Sequence, residues 1–459
     1  MICNRWILLL IEIFKITFLL FLHPNLYRMN YNETVNYLYQ QLPVYQHIGK
    51  AAYKANLETT QKFDEYFGNP HRLFKSIHVA GTNGKGSTSH MLASVLQSAN
   101  YKVGLYTSPH LYDFRERIRI NGQMIAEQEV VNFVSNHKGI IEKLKPSFFE
   151  MTTALAFDYF ARQQVDIAVI EVGMGGRLDS TNIITPLLSI ITNIGLDHTE
   201  FLGNSISQIA VEKAGIIKDN IPVIIGEWDK ESAVVFAEKA HEKNAPIIFA
   251  DKILHINNIC LKDNKQIFSI EAVKSSESSF GTINVEIDLL GSYQKKNILT
   301  VMAAIEELKH QINISNTALK NGLGNILQQT GLQGRWQILN NNPTIICDTG
   351  HNAHGLKYVM EQLKIQEFEK LYIVLGVVSD KDVDSILPVL PHNAYYFFTK
   401  ADLPRAMDAD KLAEKCKHAG LHGEVVTGVK NALKAARSKA TPDDTIFIGG
   451  STFVVAEII

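Results

Sequence analysis

The sequence predicts an α/β protein with largely parallel sheets, divided into two domains. Three observations carry this expectation. Short β-rich runs alternate with amphipathic helical segments from Met29 onward. A glycine-rich turn over 81–88 follows one strand and opens one helix. A second strand–helix alternation starts after Gly331 and Gly334. The expected division is an apolar extension over 1–28, a central domain over 29–330 and a smaller α/β domain over 331–459.

In chain order, residues 76–80 read as a short buried strand. The helix from about Gly86 spaces Met91, Leu92, Val95, Leu96 and Ala99 along one apolar face. Residues 165–171, 187–192 and 222–225 read as further strands. Between 253 and 290 the pattern alternates in the manner of hairpins around a Ser-rich turn at 275–279, and helices resume near Lys295 and Ser315. Beyond the glycines, strands are expected at 344–347, 371–375, 395–398 and 445–448.

A chain of 459 residues has length for a large core and two or three domains. Forty-five basic against 47 acidic residues leave a net charge of −2, which excludes a basic nucleic-acid platform or an acidic tail. With 46% hydrophobic and 20% charged residues, disordered and fibrous classes are excluded too. Cys3, Cys260, Cys347 and Cys416 form no CxxC pair, so neither a disulfide framework nor a structural zinc is indicated, and a reducing, cytoplasmic setting is expected. Residues 6–22 are apolar apart from Glu12, Lys15 and Thr17. No small-residue cleavage site follows, which speaks against a secretory signal. Two ionisable groups within 17 residues speak against a membrane span. The expectation is that translation starts at Met29 and that 1–28 is upstream sequence, with an anchor and a cleaved signal as the other readings.

The strongest motif is Gly81-Thr82-Asn83-Gly84-Lys85-Gly86-Ser87-Thr88. Between a strand and a helix, its backbone N–H groups can face phosphates, Lys85 can reach the β- and γ-oxygens, and a hydroxyl can hold Mg²⁺. It departs from the strict phosphate-loop pattern, since Val79 occupies the first glycine position and Gly86 separates Lys85 from Ser87. A glycine turn with no ligand is the bland alternative.

Other candidates sit at strand ends, where open α/β sheets place ligands. Glu171 closes one strand and leads into Gly173, Gly175, Gly176, Arg177 and Asp179; alone it reads equally as a capping carboxylate. Asp197-His198 follows the next strand, and a carboxylate and an imidazole on neighbouring strand ends can share a hard cation. Lys213 falls on a helix beginning near Ser205, with a surface ion pair as its alternative. Arg335, beside the domain junction, suits phosphate because its planar fork stays charged. Asp348 could hold ribose hydroxyls, and His351 could face a second substrate.

Together these motifs resemble the Mur ligase superfamily, most closely folylpolyglutamate synthase/dihydrofolate synthase. The resemblance rests on 81–88, Ser108-Pro109-His110-Leu111, the run from Glu171 to Arg177, 179–182, Leu196-Asp197-His198 and Glu212-Lys213-Ala214-Gly215. Gln294 with Asn297, Gly334-Arg335, 348–352, Asp380-Lys381-Asp382 and Gly450-Ser451 complete it in family order. One departure is Asp348-Thr349-Gly350-His351-Asn352, where the family usually has Asp-Gly-Ala-His-Asn.

The resemblance implies a Mur-ligase-like P-loop ATPase domain followed by a smaller Rossmann-like domain. It implies an ATP-dependent ligase joining L-glutamate to dihydropteroate or to reduced folates through an acyl phosphate. Lys85, Glu171, His198 and Lys213 would be catalytic. Thr82, Asn83, Gly84, Lys85, Gly86, Ser87, Thr88, Asn297, Arg335 and Asp348 would bind ATP. Ser87, Glu171 and His198 would hold two Mg²⁺ ions, with Lys213 carbamylated to supply an oxygen ligand. Ser108 and Asp179 would meet the folate substrate, and His351 and Ser451 the incoming glutamate. No nucleic-acid or membrane partner is expected, and a monomer is. A cell-wall ligase acting on a UDP-sugar would carry a further N-terminal domain, for which the roughly 47 residues between Met29 and Ser76 are too few. A P-loop binding protein without ligase activity is the remaining alternative.

Overall fold

The computed structural model describes residues 29–42, 56–273, 281–379 and 382–459. The apolar 6–22 stretch, the Ser-rich turn and Asp380-Lys381 lie outside the described residues. Among the described residues, no helix is long and apolar enough to cross a membrane.

The first sheet has eight strands: β1 (Lys75–Ala80), β2 (Val103–Tyr106), β3 (Ile118–Ile120), β4 (Gln123–Met124), β5 (Ile167–Glu171), β6 (Leu188–Ile191), β7 (Val223–Ile225) and β8 (Ile247–Phe249). Their order is β4-β3-β2-β5-β1-β6-β7-β8, parallel except for β3 and β4 at one edge. β1 is central and buried from Ser76 to Ala80, as a strand in a sheet covered on both faces must be. The one polar side chain in its middle, His78, bonds Thr181 Oγ1 at 2.8 Å. Burial, then the nearby Lys218, pushes its pKa down to about 3, so it is a neutral core residue.

β9 (Leu254–Lys262), β10 (Lys265–Ala272) and β11 (Ile283–Ile287) form a separate antiparallel sheet in the order β11-β10-β9. The alternation read from the sequence appears in β10, where Gln266, Phe268 and Ile270 are buried and their neighbours are not. The β9–β10 turn is Asp263-Asn264, both with positive φ, at 50° and 56°. Phe268 and Ile270 share a core with Met91, Leu92 and Val95 of helix Lys85–Ser98 and with Ile298, Val301 and Met302 of helix Gln294–Leu308. That core fixes the axis of the helix that follows the glycine loop.

The third sheet holds β12 (Gln337–Asn341), β13 (Thr344–Cys347), β14 (Leu371–Leu375), β15 (Ala394–Phe398), β16 (His422–Val425) and β17 (Thr445–Gly449), ordered β12-β13-β17-β14-β15-β16. Only β12 is antiparallel. Alternate side chains feed different cores: Ile346, Ile373 and Phe398 lie on one face, Ile345, Val374 and Phe397 on the other.

The fold expected from the sequence is the fold observed, with one correction in the site. Glu171 and Asp197-His198 were expected on neighbouring strand ends, but β1 lies between β5 and β6. The glycine loop therefore sits between them.

Candidate functional site

The loop after β1 is shaped by contacts that only glycine permits. A Cβ on Gly81 would stand 1.8 Å from Thr192 Oγ1, and one on Gly84 would stand 2.2 Å from Asn297 Oδ1. Both residues also have positive φ. The loop is tied to the end of β6: Thr82 N donates to Asn193 O at 3.0 Å, Asn83 N to Asn193 Oδ1 at 2.9 Å, and Thr192 Oγ1 to Asn83 O at 2.6 Å. Helix Lys85–Ser98 starts without a side-chain cap, so its first-turn N–H groups face the cleft as an anion site. Lys85 Nζ lies over its own loop, donating to Thr82 O at 3.3 Å. Thr88 is turned into the core instead.

Glu171 is buried at the end of β5, and its Oε2 accepts from Ser108 N at 3.1 Å. Burial pushes its pKa up, opposed most by Lys85. Its two carboxylate oxygens and Arg335 Nη2 all lie within 4 Å of a Cβ built on Gly86. A carboxylate from β5 and a guanidinium from beyond the glycine junction thus meet over the loop. Gln294 Nε2 donates to Ser87 Oγ at 3.2 Å, and Asn297 Nδ2 donates to Gln294 Oε1 at 2.7 Å.

Arg335 reaches the loop while Nη1 donates to Gly334 O at 3.2 Å and to Thr349 Oγ1. Asp348, buried after β13, accepts from Tyr293 O–H at 2.6 Å, Trp336 N at 2.7 Å and Gly350 N at 2.7 Å. Burial pushes its pKa up and the Tyr293 bond draws it back. A cleft of about 890 Å³, mouth included, is lined by Thr82 through Ser87, Ser108, Glu171, Asn297, Arg335, Asp348 and His351.

Five expected residues do not line that cleft: Thr88, Asp179, His198, Lys213 and Ser451. Lys213 is buried directly behind the loop and donates from Nζ to Gly81 O at 2.9 Å. Burial, then Lys85, lowers its pKa to about 7. His198 has φ +50° at the start of a short helix, with its Nε2 4.0 Å from Asp197 Oδ1. Asp179 faces its own loop: it accepts from Gly173 N, Met174 N and Thr181 N, each at 3.0 Å, and from Thr181 Oγ1 at 2.5 Å. Ser451 caps the last helix through Val454 N at 3.2 Å, and the next residue, Thr452, lines the cleft.

Sequence reasoning missed Glu227, Tyr293, Lys296, His354 and Tyr358, which also line the cleft. Lys296 pairs with Glu227 and lies 5.0 Å from the centre of the Tyr358 ring. Glu227 follows the end of β7, so the strand-end rule that singled out Glu171 would have found it.

The donor set fits a hard divalent cation only in part. Glu171 and Ser87 supply oxygen at the loop, but among the described residues no three His, Cys, Asp or Glu side chains gather as a metal cluster. That suits an ion completed by phosphate oxygens and water better than an all-protein cage.

Comparison with known proteins matches the Mur ligase middle domain over residues 79–305 and the Mur ligase glutamate ligase domain over 334–452. The dihydrofolate synthase/folylpolyglutamate synthase of Bacillus subtilis is 33% identical over 427 residues, covering 89% of this chain and 95% of that one. A Haloferax volcanii protein named as a probable bifunctional folylpolyglutamate synthase/dihydropteroate synthase is 33% identical over 94% of this chain, which spans only 50% of that longer protein. Escherichia coli FolC in complex with DHPP and ADP superposes with a TM-score of 0.81 at 29% identity, covering 94% of this chain and 97% of that one. A bifunctional folylpolyglutamate synthase/dihydrofolate synthase with Mn, AMPPNP and L-glutamate bound gives 0.78 at 28% identity, over 94% and 97%. The chain belongs to the folylpolyglutamate synthase/dihydrofolate synthase family of Mur ligases.

Proposed function

We propose that this protein is an ATP-dependent ligase that adds L-glutamate to dihydropteroate and to reduced folates, in the latter case as γ-linked polyglutamates. The observation that carries the reading is the shared cleft. Its phosphate loop comes from the first half of the chain, and Arg335, Asp348 and His351 come from the second. Two-part sites of this kind suit a reaction that must activate one substrate and then admit another.

A carboxylate does not condense with an amine in water without activation. Here the γ-phosphoryl group of ATP passes to the acceptor's carboxylate, the glutamate amine attacks the acyl phosphate, and phosphate leaves. Lys85, the free N–H groups of the first helical turn and Arg335 neutralise charge on the phosphoryl group in flight. Ser87 and Glu171 are the residues that would hold Mg²⁺ at the phosphates. A second ion would be held by His198 and a carbamylated Lys213. Bound divalent ions would supply charge neutralisation and in-line alignment of the phosphates. Asp348 and Asn297 position the nucleotide, while Ser108 and the loop that Asp179 holds border the folate substrate. His351 and the Ser451 turn border glutamate. The working division is a 29–330 ATPase domain and a 331–459 glutamate domain, acting as a monomer in the cytoplasm.

Phosphate release with ATP and Mg²⁺ tests this when dihydropteroate or tetrahydrofolate is offered with and without glutamate. Release that requires both the pterin acid and glutamate supports the ligase. Turnover independent of both supports a binding or regulatory ATPase.

A further inference from the structure

The acyl phosphate of such a ligase is lost if water reaches it, so the two halves of the cleft must stay together through the reaction. We propose that Asn352 is a positioning residue, the latch that holds the second half of the chain against the phosphate loop while the activated acid waits for glutamate. This rests on the ligase reading given above.

Asn352 caps helix Ala353–Lys364, its Oδ1 accepting from Gly355 N at 2.8 Å. Its Nδ2 crosses the seam and donates twice, to Asn83 Oδ1 at 3.0 Å and to Asp197 Oδ2 at 3.1 Å. Asn83 answers with its own amide, donating to Asn352 Oδ1 at 3.3 Å and sharing a 3.0 Å hydrogen bond with His354 Nδ1. The Asn83 side chain therefore reads the other half of the molecule, while its backbone shapes the phosphate loop. His351 Nε2 lies 3.5 Å from the same Asp197 carboxylate. The far end of the helix is fastened separately: Gln362 Nε2 donates to Leu290 O at 2.9 Å and its Oε1 accepts from Ser292 N at 2.6 Å. A helix held at one end by Gln362 and latched at the other by Asn352 can swing only by breaking the Asn352 bonds, together with the His354–Asn83 and His351–Asp197 contacts beside them.

In the leak that the latch prevents, water attacks the acyl carbon, the C–O bond to phosphate breaks, and the free carboxylate and inorganic phosphate return. ATP is spent with no amide formed.

Asn352→Asp is the discriminating variant, because aspartate keeps the helix cap through Gly355 N but has no amide to donate and faces Asp197 with a like charge. Phosphate released in excess of amide formed is expected to rise about tenfold over the parent's, since two lost hydrogen bonds are worth about a tenfold change in the ratio of closed to open molecules. Michaelis constants for ATP should move less than that for glutamate. Small-angle scattering with AMPPNP should show Asn352→Asp more extended than the parent, and Asn352→Gln should recover part of the coupling. An excess no larger than the parent's, together with unchanged scattering, would overturn the latch. A parent that never forms the amide would overturn the ligase reading, and the scattering comparison would still decide the latch.

Discussion

Replacing Lys213 separates two properties that burial has joined. Its ammonium would sit behind the phosphate loop, 4% exposed, donating to Gly81 O at 2.9 Å. Burial and the neighbouring Lys85 bring its pKa from 10.5 to about 7. At pH 7 about half of the molecules then carry the neutral amine, roughly three orders of magnitude more than for an ordinary lysine. Only the neutral amine attacks carbon dioxide, giving an anionic carbamate and a proton, so this lysine is primed for the modification that the family resemblance implies. The same shift has a stability cost. The unfolded chain binds the proton more readily than the native one between about pH 7 and pH 10.4, so native stability rises with pH across that window. At about 1.4 kcal/mol per pH unit the ceiling on this cost is about 5 kcal/mol. In bicarbonate-free buffer at pH 7, Lys213→Met should therefore resist urea better than the parent, with the advantage fading towards pH 10. Lys213→Ala should lose nearly all ligase turnover, and acetate or formate should restore part of it by filling the vacated site. Carbon NMR with isotope-labelled bicarbonate should show a carbamate signal in the parent that is absent from Lys213→Ala. No such signal, together with a fully active Lys213→Ala enzyme, would refute the reasoning.

Three further substitutions probe the loop and its supports. Lys85→Ala should cut turnover by about 100-fold or more through loss of a preorganised charge, without lowering the melting temperature; near-normal turnover would take the loop out of ATP chemistry. Asp179→Ala removes a buried acceptor from three N–H groups and one hydroxyl, and should cost about 3 kcal/mol or more in urea unfolding while raising the Michaelis constant for the pterin acid more than that for ATP. Unchanged unfolding and unchanged Michaelis constants would show that the carboxylate is idle. Gly84→Ala introduces a Cβ at φ +83°, 2.2 Å from Asn297 Oδ1, so nucleotide affinity measured by calorimetry should drop at least about tenfold. Parental affinity in a folded Gly84→Ala protein would contradict the loop geometry.

Much of the fold was legible in the sequence because its signals are local. The first site segment was found from a buried β-run, glycines in a tight turn and an apolar helical stripe, and the structure changes only its boundaries. Four of the six strands of the second half, β13, β14, β15 and β17, were located to within a residue for the same reason, while β12 and β16 went unread. Helix Phe148–Arg162 went unread because ten of its 15 residues are buried, which leaves no stripe to detect. β2 escaped because four consecutive buried residues between turns carry no period. Within the site, residue identities were legible and orientations were not. Asp179 stands in the right motif, yet its carboxylate is taken up by its own loop. The placing of β1 between Glu171 and His198 follows from strand order, which no local pattern encodes. Asn83 and Asn352 meet across 269 positions of sequence, beyond any spacing rule.

The central claim is that the acceptor's carboxylate is phosphorylated before the amide forms. Dihydropteroate or tetrahydrofolate can be prepared with heavy oxygen in the reacting carboxylate and turned over with ATP, Mg²⁺ and glutamate. Mass analysis of the released phosphate should find one heavy oxygen per phosphate, carried over from the acid as the acyl phosphate breaks. Phosphate containing only ordinary oxygen, formed alongside the amide product, would contradict an acyl phosphate and with it this account of the cleft.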